Sequence, residues 1–483
     1  MKNEVIIFLI VMVLSGGLMA CSCAVDDEER TSSTRRSRGA IAYTTWFDQS
    51  GLMVKTSASK TNGAISSPVS IRLTQERFQS IVGFGAALTH ASCYNLMKMK
   101  KSDRSAFLKE FFSVEEGMGV SMVRISIGGS DFSLKYFTWE DIQGMRGPHE
   151  NDLKYVIPIL KEIRTINPNL KILASPWTAP AWMKKETKGN NGYQGGHLKP
   201  SSFQDYADYL VYWIKYFQSQ GLNIEAITLQ NESLTEYNKI SMIMFYSEAV
   251  AFLKKLGPAF KNAGIDTKIL VFDHNYNYDN WDNQRQYPLK VYQDEEASQY
   301  VTGSAWHSYG GSETELDVIH AAAPDKEIWF TECSIGTWFP EFEAQLNHDF
   351  KHQFIGTLKR WGRSVLVWNL MLDTKNGPNL DNDTCFGVVT LGDDNKTLVR
   401  NSQYYALAHC ARVIRSGAVR VGTEGFSAPG IDYLAFLNPD GTWGVIIQNE
   451  NQESQQLLFI SDSHSVKTTV PGRSLVSLTW SDD

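Results

Sequence analysis

Short apolar runs alternate with longer amphipathic stretches from Ile81 to Leu372. Several runs are apolar nearly throughout, which is typical of strands that are covered on both faces of a parallel sheet. Eight strands are predicted: Ile81–Ala87, Met122–Gly128, Lys171–Pro176, Ile224–Gln230, Lys268–Asp273, Val301–His307, Glu327–Thr331 and Val365–Leu370. The predicted helices between them include Asp152–Ile166, Phe203–Gln218 and Ser241–Leu256. Eight such units predict a (β/α)8 TIM barrel, which typically needs about 250 residues and more with insertions.

The pattern changes after about Gln403, where a helical piece, Tyr404–Arg415, gives way to short alternating runs. Turn signals separate these runs, which is typical of an antiparallel β-sandwich. The runs are Tyr433–Leu437, Trp443–Gln448, Gln456–Ser461, Val466–Val470 and Leu475–Trp480. The segment Ala40–Leu73 alternates in the same way, so we expect it to supply strands to that sandwich. The predicted fold class is α/β, with sandwich strands in 40–75, the barrel in 76–402 and the C-terminal sandwich in 403–483.

The first residues are predicted to be an export signal. Lys2 precedes an apolar run, Val5 to Leu14, that is too short to span a bilayer. The signal would occupy residues 1–20, and its end, Leu18-Met19-Ala20-Cys21, resembles the bacterial lipoprotein box. That resemblance implies lipidation at Cys21; simple cleavage after Ala20 is the alternative.

Residues 21–39 are polar and charged, so they are expected to form a flexible tether. Their acidic cluster, Asp26–Glu29, resembles the surface-export signal of Bacteroidetes lipoproteins. We therefore expect an exported outer-membrane lipoprotein, held by membrane lipid through Cys21, at the cell surface or otherwise in the periplasm.

Composition excludes some classes of protein. Charged residues are 20% and hydrophobic residues 42%, an ordinary balance for a globular chain. A formal net charge of −7 offers no basic field for nucleic acid.

The segment Gly83–Leu88 starts like a dinucleotide loop but lacks the third Gly. Asp381-Asn382-Asp383 lacks the Gly and distal Glu of a calcium loop, and the six Cys show no zinc spacing. No cofactor and no metal are expected, and the chain is expected to be a monomer.

Two glutamates, Glu232 and Glu332, each follow an apolar, β-rich run. In a barrel of parallel strands, the carboxyl ends of the strands form the rim where catalytic groups are found. Strands four and seven lie across the mouth from each other, with room for a sugar between them. Either Glu alone could be a solvated loop residue, but two carboxyl groups at such a rim are what glycoside hydrolysis requires.

The Leu229–Ser233 segment resembles the Asn-Glu-Pro signature of clan A glycosidases, with Ser233 where Pro is usual. More specific segments run from about Gln79 to the end: Gln79–Thr89, Met122–Ser126, Ser130–Ser133, Ala174–Lys184, Trp368–Asp373, Gly377–Asn379 and Pro471–Ser474. Together these segments resemble glycoside hydrolase family 30, the family of glucosylceramidases, β-1,6-glucanases and some xylanases.

The resemblance implies roles for the residues that match the motifs. Glu232 would be the acid/base and Glu332 the nucleophile of a retaining hydrolase. Asn231 would hold the sugar 2-hydroxyl, and Arg124 would keep Glu332 ionised, since a nearby cation lowers a carboxyl pKa. Arg124 could instead belong to a structural ion pair.

The resemblance also implies a sugar pocket at the barrel mouth. Its expected lining residues are Asp131, Trp177 and Trp368, with His307 and Tyr309 at the edge. The two tryptophans could instead be core aromatics, and His307 a core histidine whose hydrogen bonds are satisfied.

The substrate class is less closely defined by the sequence. Glucosylceramidases of the family usually carry an aromatic residue between the His and Tyr that here are His307 and Tyr309, and this chain has Ser308. Since a tethered exported enzyme meets polymers, we expect an endo-β-1,6-glucanase acting on a pustulan-type glucan. The alternatives are a β-glucosidase or glucosylceramidase-like enzyme, or a β-xylosidase or xylanase. Outside the enzymes, a non-catalytic surface glycan-binding lipoprotein remains, although such a protein has no reason to keep both Glu232 and Glu332.

Overall fold

A computed structural model describes residues 39–65, 67–380 and 384–482. Within these ranges, eight parallel strands close into a barrel in chain order, which confirms the predicted fold class. The barrel strands are Gly83–Ala87, Met122–Ile127, Lys171–Pro176, Ala226–Thr228, Lys268–Asn275, Gly303–His307, Glu327–Glu332 and Gly362–Val367. The fourth strand is shorter at both ends than the predicted Ile224–Gln230, and the chain bends at Leu229, just after it.

The barrel is filled by side chains from every strand. One buried apolar cluster takes a residue from each of the eight strands or from the residue just before it: Val82, Met122, Leu173, Ala226, Leu270, Ala305, Trp329 and Leu366. A second, larger cluster lies between the strands and the surrounding helices. Burial on both faces explains why the strands are almost continuously apolar.

Gly85 shows why the first strand contains closely spaced glycines. A Cβ placed on Gly85 would lie 1.7 Å from the Met122 carbonyl oxygen of the neighbouring strand. Gly85 belongs to the segment that starts like a dinucleotide loop, but its role here is to let two barrel strands lie close together.

Helices of the described chain cover the outside of the barrel. The α-helices are His90–Lys98, Lys101–Phe112, Ile157–Ile166, Phe203–Ser219, Tyr246–Ala263, Tyr287–Tyr292, Glu295–Ser298, Glu315–Ala322, Phe342–Asp349, Thr357–Lys359 and Ser402–Ala411. Wider π-helical turns are Asp152–Val156 and Phe350–Gly356. Short 3-10 turns are Ala181–Met183, Asn190–Gly192, Pro200–Ser202, Tyr278–Asn280 and Asp282–Gln284.

Three predicted helices differ from the structure. The helical piece predicted at Tyr404–Arg415 begins at Ser402 and ends already at Ala411. The predicted Asp152–Ile166 helix begins with a π-helical turn, which periodicity of 3.6 residues does not reveal. The predicted Ser241–Leu256 helix begins only at Tyr246 and continues to Ala263. Its first residues instead form a loop in which the Ser241 and Ile243 amides donate to Tyr193 and Gly196.

A separate sheet carries both ends of the described chain. Its strands are Ile41–Trp46, Val54–Ser57, Ser59–Asn62, Ser70–Ser80, Val419–Gly425, Ile431–Leu437, Thr442–Asn449, Gln455–Ile460, His464–Val470 and Ser474–Ser481. Ile41–Trp46 pairs antiparallel with Ser474–Ser481, and Ser70–Ser80 lies between Val419–Gly425 and Gln455–Ile460. The sheet encloses an apolar core of its own. The strand Val419–Gly425 was missing from the sequence prediction.

Smaller sheets lie in the loops of the barrel. They pair Lys184–Lys185 with His197–Leu198, Ile335–Gly336 with Cys385–Phe386, and Val389–Leu391 with both Met371–Asp373 and Leu398–Arg400. Among the described residues, no helix has both the length and the apolar character needed to cross a bilayer. The predicted signal, Cys21, the tether up to residue 38 and Asp381–Asp383 lie outside the described residues.

Candidate active site

The two glutamates face each other at the carboxyl end of the barrel. Glu332 ends the seventh strand, and Glu232 follows the fourth strand after a short extension. One carboxylate oxygen of each lies within 4.8 Å of the other. Glu232 has a backbone φ of 47°, a left-handed conformation that is uncommon for a residue with a side chain. Its amide donates to the Asp273 carbonyl at 2.9 Å, which holds the turn in place.

Glu332 is buried and is surrounded by donors. The guanidinium of Arg124, on the second strand, donates directly to Oε2 of Glu332. The Tyr309 hydroxyl donates to Oε1 at 2.9 Å. The Tyr309 side chain is 41% exposed, so it forms part of the open edge of the site. These donors stabilise an ionised Glu332.

Asp273 organises the interior below the glutamates, and the sequence analysis missed it. It is fully buried and accepts from Arg124 Nη2 at 2.8 Å and His307 Nε2 at 3.0 Å. The hydroxyls of Thr228 and Thr331 donate to it at 2.7 and 2.6 Å. Burial alone would raise the pKa of Asp273, but the charges of Arg124 and His307 hold it well below its usual range.

A signal for Asp273 was present in the sequence. This carboxylate ends the predicted fifth strand, just as Glu232 and Glu332 follow the fourth and seventh. The same argument that selected the glutamates therefore applies to Asp273. Sequence alone could not show that its carboxylate points into the barrel and contacts a cation.

His307 lies between the carboxyl groups, not at the edge of the pocket as the sequence analysis expected. It is fully buried, and its Nδ1 lies 3.5 Å from Glu232 Oε1 and 3.9 Å from Glu332 Oε1. Burial alone would lower the pKa of His307, but the charges of Glu332 and Asp273 raise it to about 9. The imidazole therefore carries a proton at neutral pH and separates two carboxylates that would otherwise repel each other.

The charges around His307 act differently on the two glutamates. Burial tends to raise the pKa of Glu232, but the hydrogen bond and charge of His307 lower it. Burial raises the pKa of Glu332, and the neighbouring carboxylates add to this effect against the charges of His307 and Arg124. By these directions, a proton held by one of the two glutamates would reside on Glu332 and not on Glu232.

The direct contacts favour the opposite distribution of the proton. Glu332 receives donors from a guanidinium and a phenol, which hold its anion. The side-chain amide of Asn238 donates to Glu232 at 2.6 Å. Nδ1 of His307 lies 3.5 Å from Glu232, and the proton on that nitrogen can pass to the Glu232 carboxylate. A shift of that one proton from His307 makes Glu232 an acid without disturbing the pair of Arg124 and Glu332.

The remaining predicted residues surround Arg124. Asn231 Oδ1 accepts from Arg124 Nη2 at 2.7 Å. The Arg124 guanidinium lies 4.9 Å from the ring centroid of Trp177 and 5.8 Å from that of Trp368. Both tryptophans are buried and their rings lie 5.3 Å apart. They belong to a small buried apolar cluster that is separate from the main core, and they pack against the Arg124 guanidinium.

Asp131 lies in the loop after the second strand, beside this apolar cluster. Its backbone carbonyl accepts from the Leu380 amide at 2.7 Å, and the next residue, Phe132, packs edge-on against Trp368 at 5.8 Å. The structure therefore places the Asp131 backbone close to the residues that surround Arg124.

A buried hydrogen-bond chain that the sequence analysis missed holds the Asp131 loop. The Ser130 amide donates to the Ser133 hydroxyl at 2.8 Å, and that hydroxyl lies 3.0 Å from His90 Nδ1. His90 Nε2 lies 3.0 Å from Asp152, in the π-helical turn. The order Ser-His-Asp resembles a catalytic triad, but all three side chains are buried. These hydrogen bonds therefore hold the Asp131 loop in place.

Glu232, His307 and Glu332 also present three potential metal ligands within 4.8 Å of one another. Arg124 already supplies a positive charge to Glu332, so one of the two carboxylates is paired with a cation of the protein. The arrangement fits a proton-transfer site better than a cation site.

A closed barrel of parallel strands with two facing carboxyl groups at its carboxyl rim is the arrangement that glycoside hydrolysis requires. The chain belongs to glycosyl hydrolase family 30: the TIM-barrel domain of that family matches residues 81–414, and its β-sandwich domain matches residues 417–478.

Relatives of known name support this membership. The endo-1,6-β-D-glucanase BGN16.3 of Trichoderma harzianum is 32% identical over 466 residues, which cover 90% of this chain and 91% of that protein. The mouse lysosomal acid glucosylceramidase is 25% identical over 433 residues, covering 84% of this chain and 82% of that protein. Among solved structures, the endo-β1,6-glucanase BT3312 is 42% identical with a TM-score of 0.89, covering 92% of this chain and all of that one.

Proposed function

We propose that this chain is a retaining endo-β-1,6-glucanase that cleaves a pustulan-type glucan by double displacement. The observation that carries the mechanism is the separation of the two carboxyl groups, whose nearest oxygens lie within 4.8 Å. Retaining hydrolases place these groups about 5–5.5 Å apart, whereas inverting enzymes need roughly 6.5–9.5 Å to admit a water between them.

In the first step, a carboxylate oxygen of Glu332 attacks the anomeric carbon while the carboxylic acid of Glu232 protonates the departing oxygen. The glycosidic bond breaks and a covalent glycosyl ester forms on Glu332. In the second step, the Glu232 carboxylate takes a proton from water, whose oxygen attacks the anomeric carbon and releases Glu332. Two inversions give net retention of the β configuration.

The surrounding residues prepare these groups and bind the sugar. Arg124 and Tyr309 hold Glu332 as an anion aimed at the pocket. Asn231, fixed by Arg124, would hydrogen-bond the sugar 2-hydroxyl, an interaction that strengthens in the transition state. Trp177 and Trp368 would pack against the sugar ring, and Asp131 would bind its hydroxyl groups.

The substrate proposal rests on the relatives. A fungal relative at 32% identity and a solved structure at 42% are both named for endo-β-1,6-glucanase activity. The glucosylceramidase-like alternative has somewhat more distant relatives, at 28% for the putative glucosylceramidase 2 of Caenorhabditis elegans and 25% for the mouse enzyme, and Ser308 departs from the aromatic residue usual in those enzymes. The xylanase of Talaromyces cellulolyticus is 22% identical and supports the fold only.

A product profile tests this function. Pustulan, laminarin, xylan and an aryl β-glucoside are each incubated with the enzyme, and products are separated by size. We expect short β-1,6-linked oligosaccharides from pustulan, and proton NMR should show the β-anomer first. Untouched pustulan with efficient cleavage of xylan or of the aryl glucoside alone would favour the alternatives, and an initial α-anomer would reject retention.

We also propose that the mature protein is lipidated at Cys21 and held at the outer membrane, so that the barrel reaches glycans outside the cell. The support is the Leu18-Met19-Ala20-Cys21 match and the polar residues behind it. Cys21→Ser should move the protein from the membrane fraction to the soluble fraction, with Cys23→Ser as the matched control. A Cys21→Ser protein that stays in the membrane fraction would reject the lipid anchor.

A further inference from the structure

Two exposed aromatic side chains lie in the loops that follow the two glutamates. Tyr237, five residues after Glu232, is 86% exposed, and Trp338, six residues after Glu332, is 56% exposed. Both rings are therefore open to solvent on loops that begin at the site, where they are available to contact a bound glycan.

Tyr237 and Trp338 lie in loops that begin at the proposed acid and at the proposed nucleophile. The Tyr237 loop follows the fourth strand and the Trp338 loop follows the seventh. The scissile bond is expected between Glu232 and Glu332, so both loops border the place where the leaving group departs.

The loop that carries Tyr237 is hydrogen-bonded to the proposed acid. The side-chain amide of Asn238 donates to Glu232 Oε2 at 2.6 Å, and the Gln194 side chain donates to the Glu236 carbonyl at 3.2 Å. The sugar that leaves is the one whose oxygen Glu232 protonates. A residue adjacent to Asn238 is therefore well placed to contact that sugar.

Trp338 is exposed but is held in place. The preceding strand Ile335–Gly336 pairs with Cys385–Phe386, and the Thr337 amide donates to the Thr384 carbonyl at 2.9 Å. The indole packs on Gly336, where an added Cβ would lie 2.3 Å from the ring. A fixed, exposed ring presents apolar area without a large loss of side-chain entropy on binding.

We propose that Tyr237 and Trp338 are platforms for the glucose units on the leaving-group side of the cleaved bond. A glucose ring has an apolar face of C–H groups that packs against an aromatic face, and burying both removes apolar area from water. This inference rests on the proposed function and adds a second binding region, for the part of a β-linked glucan beyond the first pocket.

The test compares a substrate that reaches these residues with one that cannot. Pustulan extends over the leaving-group side, whereas β-glucosyl fluoride has a single atom there. Tyr237→Ala and Trp338→Ala should each lower kcat/KM on pustulan by about three- to tenfold, mostly through KM. Neither change should alter hydrolysis of β-glucosyl fluoride. Tyr237→Phe keeps the ring and should retain wild-type kcat/KM on both substrates.

Tyr212→Ala is the matched control, since Tyr212 is 37% exposed on the outer helix Phe203–Ser219 and should affect neither substrate. Unchanged kcat/KM on pustulan in both platform variants overturns the inference. An equal loss on both substrates also overturns it, because the residues would then act through the catalytic centre. A wild-type enzyme that hydrolyses the fluoride but not pustulan instead rejects the proposed substrate.

Discussion

At the scale of single residues, the site depends on two carboxyl groups that perform different steps. Glu332→Gln removes the nucleophile, and Glu232→Gln removes the acid, so each should lower kcat by several orders of magnitude on pustulan. Glu225→Gln is the matched control, because Glu225 lies at the opposite end of the fourth-strand region and contacts Lys268. Steady-state kinetics of the three variants provide the measurement; near-wild-type activity in Glu332→Gln would reject the assignment.

Small anions separate the two roles further. With an activated leaving group, a Glu232→Ala enzyme can still form the glycosyl ester but lacks the base that activates water. Azide should then restore turnover and yield a β-glycosyl azide. An α-glycosyl azide from this variant would contradict the assignment of Glu232 as acid/base.

The Asp273–His307 pair makes stability depend on pH. The pKa of His307 is raised from 6.5 to about 9, so its contribution is fully present below pH 6.5 and is lost as pH rises through about 9. Asp273→Asn removes the anion that holds the imidazolium, and the folded pKa of His307 should fall toward 6.5. The variant should be less stable than the wild type at all these pH values. The gap between their free energies of unfolding should shrink between pH 6.5 and 9.

Denaturant unfolding of wild type and Asp273→Asn across this window measures the gap. The low pKa of Asp273 adds no slope there, since that carboxyl is ionised in both the folded and unfolded states. A gap that stays constant from pH 6.5 to 9 would mean that Asp273 does not hold the charge on His307.

At the scale of elements, the barrel depends on the close approach of its first two strands. Gly85→Ala would place a Cβ 1.7 Å from the Met122 carbonyl, a backbone atom that cannot rotate away. We expect a loss of more than about 3 kcal/mol in the free energy of unfolding, or no soluble protein. Thermal unfolding tests this, with Gly147→Ala as the control, because nothing lies within 4 Å of a Cβ at Gly147. Equal stability of the two variants would contradict the packing argument.

At the scale of the whole molecule, the barrel and the sandwich share packing and polar contacts. The main apolar cluster includes Leu407 and Leu475, and the Arg473 guanidinium donates to Glu343 at 2.6 Å. Deletion of the residues after Gln403 would expose this apolar surface and remove part of the helix Ser402–Ala411. We expect an insoluble barrel, measured as the soluble fraction after expression. A soluble and active truncated barrel would show that the sandwich is an independent module.

The sequence by itself determined the architecture and the two glutamates. Hydrophobic periodicity reports local burial, so eight apolar runs were enough to predict eight strands, and a carboxylate at a strand end was enough to predict a rim position. The same reasoning located most sandwich strands, because alternation and turn residues are local signals. It placed helix ends less well, as at Tyr246, where loop hydrogen bonds decide the boundary.

Only the tertiary structure decided which charges meet. Arg124, Asp273 and His307 come from the second, fifth and sixth strands, and their contacts depend on barrel closure and strand register. Sequence separation contains no such distance, which is why His307 was expected at the edge and lies at the centre. The protonation of the site follows from these contacts, since a pKa depends on burial and on charges a few ångströms away.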